Sequence, residues 1–113
     1  MEWAIWLDIS IPEIFQRVVY LKYEENGMVN VYFNNVKFSV TKYNIKKINR
    51  PNFIYGDIVM AKNKITGEII DIVYHFKNNE PMFFILSDGK KIKTRYFSND
   101  LKLLKNTPNN IFQ

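Results

Sequence analysis

The stretch VVYLKYEENGMVNVYFNNVKF, Val18 to Phe38, decides how this chain is read, because it lies over IVYHFKNNEPMFFILSDGKKI, Ile72 to Ile92, at a constant offset of 54 residues. In that register Val19 meets Val73, Tyr20 meets Tyr74, Met28 meets Met82, Val31 meets Ile85, Asn34 meets Asp88, Lys37 meets Lys91 and Phe38 meets Ile92. The offset carries upstream, placing Ala4 and Ile5 on Ile58 and Val59 and Phe15 on Ile69. After Lys42 it slips by one residue, with Tyr43 opposite Tyr96. Identities are few; apolar pattern and turn positions carry the match. A fixed internal period marks a repeated structural unit. The chain therefore reads as two copies of one small fold, broken at the NRPN segment, Asn49 to Asn52, where Pro51 cannot donate to a sheet ladder.

Each copy reads as a series of short strands. In the second, Asp57 to Lys62 is a strand, the turn Ile65 to Gly67 leads into a long strand from Glu68 to Phe76, and the polar loop KNNEP precedes a strand from Met82 to Leu86. Asp88-Gly89 then turns the chain into Lys90 to Tyr96, because both residues tolerate the positive φ of a type I′ hairpin. The segment FSNDLKLL predicts one turn of 3₁₀ helix capped by Ser98 or Asn99, followed by a strand from Leu101 to Leu104. Tyr43 to Ile48 plays that part in the first copy. One segment, SIPEIFQRVVYL, carries a conflict: Pro12 suits the first position of a helix, whereas the repeat aligns the segment with a strand. The reading adopted is strand from Ile14 onward, with a helical turn at Pro12 left open. The chain is expected to be all-β, with a first unit over residues 1–49, a second over 53–105, and a loose polar tail over 106–113.

The order YGDIVMAKN, GEIIDIVYHF, MFFILSDGKK, KTRYFSNDLKLL resembles the SH3-like or Tudor-like small β-barrels. The anchors are Gly56-Asp57, Gly67, the Asp88-Gly89 hairpin and Asn99-Asp100-Leu101, and the likeness is closer over Phe53 to Leu104 than over Trp3 to Ile48. It implies two tandem SH3-like barrels with short 3₁₀ turns, packed together. Such barrels serve mainly as binding modules for peptides, modified side chains or nucleic acids. A Tudor-type aromatic cage would draw on Tyr55, Tyr74 and Tyr96, although for a chain with 2 Trp, 7 Tyr and 9 Phe the hydrophobic core accounts for most aromatics.

Composition narrows the chemistry. With no cysteine there are no disulfides, thiolate nucleophiles or cysteine-based zinc sites. MEWAIWLDIS has an acidic residue where a signal peptide needs positive charge, and Asp8 breaks its apolar run. No stretch approaches the roughly 20 apolar residues of a membrane span. A cytoplasmic protein is expected. His75, the single histidine, shares its predicted strand face with Ile69, Asp71, Val73 and Lys77. Its nearest carboxylate, Asp71, lies about 13 Å away along an extended strand, and the repeat puts Leu21 at the equivalent place. There is no G-x-S-x-G elbow, and each of the four glycines reads as a turn residue. No catalytic residue, cofactor or metal site is expected.

The net charge of +5 is modest, with 16 basic residues interspersed among 11 acidic ones. Its densest part is Lys90, Lys91, Lys93 and Arg95, where strand alternation places Lys91, Lys93 and Arg95 on one face and Ile92, Thr94 and Tyr96 on the other. Such a stripe could follow a phosphate backbone, with Lys37 and Lys42 adding from the first unit, or could simply shield a sheet edge. Trp3 and Trp6 fall on opposite strand faces, which suits packing between the two units. The expected function is a non-enzymatic protein-binding module, of the inhibitor or immunity type. The alternative is a nucleic-acid binder using the basic strand face.

Overall fold

The computed structural model describes residues Glu2 to Thr107. Within them the chain divides into two units between Arg50 and Pro51, inside the NRPN segment. Every named strand is antiparallel to its neighbours, and the only helical pieces among the described residues are two three-residue 3₁₀ turns.

The first unit contains β1 (Glu2–Trp6), β2 (Val18–Glu25), β3 (Met28–Phe33), β4 (Val36–Thr41), a 3₁₀ turn (Lys42–Asn44) and β5 (Ile45–Ile48). They form a five-stranded sheet in the order β5-β1-β2-β3-β4. The second contains β6 (Ile58–Ala61), β7 (Thr66–His75), β8 (Glu80–Ser87), β9 (Lys90–Lys91), a 3₁₀ turn (Ser98–Asp100) and β10 (Leu101–Lys105), in the order β10-β6-β7-β8-β9. The two orders are the same order, so the repeat seen in the apolar pattern is a repeat of topology.

Tight turns set the hairpins. Asn26-Gly27, Asn34-Asn35 and Asp88-Gly89 all take positive φ at both positions, between 51° and 77°, the conformation whose twist matches that of the flanking strands. Each long second strand carries a bulge. Leu21 and Tyr23 face Val31 and Asn30, leaving Lys22 extra; Ile69 and Asp71 face Ile85 and Phe84, leaving Ile70 extra. A bulge exchanges the two faces of the strand beyond it, so one strand can direct apolar side chains inward on both sides of a bend.

The bulges also show how the two units correspond. Leu21 matches Ile69, 48 residues on, whereas Val31 and Ile85 keep the offset of 54. The first unit inserts Leu7 to Arg17 between β1 and β2, where the second has only Lys62 to Ile65, and the second unit offsets this with a longer β7–β8 hairpin. The sister position of His75 is thus Gly27, in a turn, and not Leu21. His75 also shares its face with Asp71 and Val73 but not with Ile69, which lies beyond the bulge on the opposite face.

Other boundaries moved as well. Ile14 to Gln16 are not strand: Ile11 to Arg17 forms consecutive tight turns, with the Ile14 N–H donating to Ile11 O at 3.1 Å and the Arg17 N–H to Ile14 O at 2.8 Å, and β2 begins at Val18. The segment around Pro12 is thus neither strand nor helix but a run of hydrogen-bonded turns. Just upstream, the Asp8 carboxylate accepts the Ser10 N–H at 2.9 Å, and that backbone bond, then the Ser10 hydroxyl, lowers its pKa from the ordinary 3.8. The second 3₁₀ turn is capped from its far end, by the Asp100 carboxylate accepting the Phe97 N–H at 2.9 Å, and not by Ser98 or Asn99. Gly67 lies inside β7, where an added Cβ would collide with the Leu86 carbonyl.

The first core gathers Ala4, Trp6, Val19, Leu21, Val29 and Val31, closed by Ile14 from the long loop. Trp6 meets Phe38 edge-on at 5.5 Å and donates its Nε1–H to Asp8 O at 2.8 Å. Trp3, on the other face of β1, is also buried and lies 5.8 Å from the Tyr20 ring. In the second unit Ile69, Ile72, Phe83 and Ile85 share one buried face, with Phe53 edge-on to Phe83 at 5.4 Å. Asp57, 1% exposed, holds this unit's ends together: its carboxylate accepts the Ile54 N–H at 2.9 Å and the Thr107 N–H at 2.8 Å. Thr107 belongs to the segment read as a loose tail, yet it is buried; the rest of that segment, from Pro108 on, lies outside the described residues.

Losing a charged acceptor strands two buried donors, and a bond to a charged group is worth about 1.5–3 kcal/mol. Asp57→Ala should therefore lower the unfolding free energy of the second unit by about 3 kcal/mol or more in urea titration. Gly67→Ala should cost about 1–3 kcal/mol through overpacking against the Leu86 backbone.

Candidate binding surfaces

Seven of the side chains that the sequence singles out lie in the second unit, while Lys37 and Lys42 lie in the first, in β4 and its 3₁₀ turn. The second unit's sheet has an inner face already described and an outer face built by alternation from β7 (Asp71, Val73, His75) and β8 (Glu80, Met82, Phe84, Leu86). On this outer face Met82 and Asp71 are buried, while Val73, His75, Glu80, Phe84 and Leu86 are half-buried. The result is a strip of apolar side chains along β8 with carboxylates at its margin.

The basic segment borders this strip but does not form the expected stripe. β9 is only Lys90–Lys91, paired with Ser87 and Leu86. Ile92 continues the ladder, donating to Ile85 O at 2.9 Å, and the next pairing is Tyr96 with Phe83, whose N–H and carbonyl groups exchange bonds at 2.7 and 2.9 Å. Lys93, Thr94 and Arg95 thus span what Phe84 alone spans opposite them. That excess ends the strand and abolishes the alternation of Lys91, Lys93 and Arg95.

All four cations remain exposed. Two turn back over the strip. Lys91 Nζ lies 3.7 Å from Asp71 Oδ2 and 5.0 Å from the Phe84 ring centroid, so it is both ion-paired and seated on an aromatic face. Arg95 Nη1 lies 4.0 Å from the Met82 sulfur.

The three tyrosines do not offer the faces a cage requires. Tyr74 and Tyr96 are buried, at 9% and 5% exposure. The Tyr74 hydroxyl donates to Asn79 Oδ1 at 2.8 Å, and the Tyr96 hydroxyl accepts from Asn63 Nδ2 at 3.1 Å. Tyr55 is half-buried, its hydroxyl 3.4 Å from the Ile72 carbonyl. The hydroxyls point to three different parts of the unit, which makes these rings packing elements.

His75 is held in place on both sides. Its Nδ1 accepts the Asn78 N–H at 3.0 Å, which assigns the proton of the neutral ring to Nε2, and its ring stands edge-on to Phe97 at 5.6 Å and 90°. Among the described residues no cluster of three or more His, Cys, Asp or Glu could hold a metal ion.

The first unit adds a feature of its own. Glu24, Val29, Lys42, Tyr43, Ile45 and Lys47 line an open cleft of about 360 Å³ beside the 3₁₀ turn. Tyr43 at its mouth is 81% exposed, with Lys42 Nζ 5.6 Å above its ring, and Lys47 pairs with Glu24 at 3.8 Å. The signal available in the sequence was the Lys42-Tyr43 dipeptide at the start of a predicted turn.

Comparison with known families matches residues 7–102 of the chain to a family of unknown function (DUF6960). The chain belongs to that family. The matched span runs from the long loop of the first unit to the last strand of the second, so it takes in most of both sheets. No curated protein and no solved structure matches the chain.

Removing the His75 ring takes away one edge-on contact and one exposed acceptor. His75→Ala should cost about 1 kcal/mol in chemical denaturation and leave the far-ultraviolet spectrum unchanged.

Proposed function

We propose that this member of the family is a non-enzymatic protein-binding module, an inhibitor or immunity-type protein that blocks a protein partner, acting in the cytoplasm. We also propose that each unit is an SH3-like barrel. Three features support the barrel reading: the strand order with the first strand between the second and the last, a bulge bending the long second strand, and a 3₁₀ turn before the last strand. No helix among the described residues is long and apolar enough to cross a membrane.

The observation that carries the binding reading is the outer face of the second sheet. Half-buried Phe84 and Leu86 lie beside exposed Lys90, Lys91, Lys93 and Arg95. An apolar centre with a charged rim is the usual composition of a specific protein interface. The sign of the rim favours an acidic partner surface, since complementary charge speeds encounter and fixes orientation. The nucleic-acid alternative has the same cations but loses its geometric basis. Phosphate tracking asks for regularly spaced free cations, whereas Lys91 is engaged by Asp71 and the spacing fails at Lys93 to Arg95.

Two measurements separate the readings. Immobilised protein exposed to native lysate should retain one stoichiometric acidic protein, and Lys93→Glu with Arg95→Glu should abolish retention while melting temperature holds. A labelled single-stranded oligonucleotide should bind no more tightly than about 10⁻⁴ M near physiological salt. Tight oligonucleotide binding that falls steeply with salt, together with no retained protein, would reverse the assignment.

A further inference from the structure

An exposed sheet edge presents unpaired backbone groups, and proteins normally blunt it with lysine, proline, bulges or brevity. The four edges of the two sheets differ in this respect. β9 is two residues long and both are lysine; β5 is IKKI; β10 is LKLLK and carries a register shift after Leu103. β4, VKFSVT, is the exception: six residues, a single lysine, and an unbroken register with β3 from Met28–Thr41 to Phe33–Val36. Val36 is 52% exposed, and Lys37, Ser39 and Thr41 are also exposed.

The hydrogen-bond phase of this edge follows from its turn. In a two-residue hairpin the flanking residues, here Phe33 and Val36, form a hydrogen-bonded pair. Val36, Phe38 and Val40 then direct their backbone groups to β3, while Lys37, Ser39 and Thr41 direct theirs outward. The bond from the Lys42 N–H to Gly27 O at 3.1 Å, one step past the strand, is in the same phase.

We propose that β4 is an assembly edge, at which two copies of this chain pair antiparallel about a dyad through Phe38. Two conditions select that arrangement. Residues opposite each other across an antiparallel pair share a face, so Val36, Phe38 and Val40 must meet their own kind. The outward-directed backbone groups must also meet each other. Centring on Phe38 meets both: Val36 faces Val40 of the second copy, Phe38 faces Phe38, and Lys37 exchanges backbone bonds with Ser39. No lysine faces a lysine. The same operation on β5, β9 or β10 sets lysine against lysine or leucine. The product is a continuous ten-stranded sheet across two first units, with Val36 and the open side of Phe38 covered.

Sedimentation velocity across the micromolar range tests this. The expected result is a concentration-dependent species of twice the 13.5 kDa chain mass. Ser39→Lys sets a cation opposite Lys37 and should weaken dimerisation about tenfold, while Ser39→Glu should tighten it by a similar factor, each effect counted twice by symmetry. Ser39→Pro removes an outward N–H that β3 does not use, and should yield a folded monomer. A wild-type chain that stays monomeric throughout overturns the proposal. So does a dimer indifferent to both charged variants at position 39.

Discussion

The second unit turns on one constraint, that β7 must bury Ile69 before its bulge and Ile72 and Tyr74 after it. A regular strand has a single inward face. By inserting one residue, Lys22 in β2 and Ile70 in β7, the chain exchanges the faces midway. Leu21 and Ile69 then point inward before the bend, and Ile72 and Tyr74 after it. Without the bulge, Ile72 would be delivered to the outer face and Asp71 to the core, a change no amount of side-chain repacking could absorb.

The outer face is a consequence of the same device. Asp71 reaches the surface side because the bulge places it there, and it is Asp71 that draws the Lys91 ammonium back across Phe84. The cationic rim of the second unit is therefore partly organised from within its own sheet. Arg95 likewise turns back, to within 4.0 Å of the Met82 sulfur, from the segment where the ladder opens between Ile92 and Tyr96.

The strand series, the Asp88-Gly89 turn and the 3₁₀ pieces were legible because local chemistry dictates them. Asp88-Gly89 announces its own φ values, and the apolar repeat announces two copies of one strand series. Asn34-Asn35 forms the same turn with a weaker signature. What could not be read were quantities set by distant partners. An extra residue in a strand shows only against the strand beside it, which is why strict alternation puts Ile69 on the face of His75 and a constant offset sets Leu21 against it. The stripe from Lys91 to Arg95 failed for the same reason: its irregularity is visible only as three residues facing Phe84. Tyr74 and Tyr96 read equally well as core or surface until Asn79 and Asn63 are seen to hold their hydroxyls.

The Asp57 carboxylate holds the Ile54 N–H and also the N–H of Thr107, a residue 50 positions beyond Asp57 itself. Contacts of such sequence separation form late, because the loop they close is long. During synthesis the start of the second unit therefore emerges with a negative charge that has only one of its two buried partners. Until Thr107 is made, that charge must stay solvated, and the hairpins of β7 and β8 can form around an unfinished corner. The corner that begins at Ile54 is thus closed only by Thr107, beyond the last strand of the unit.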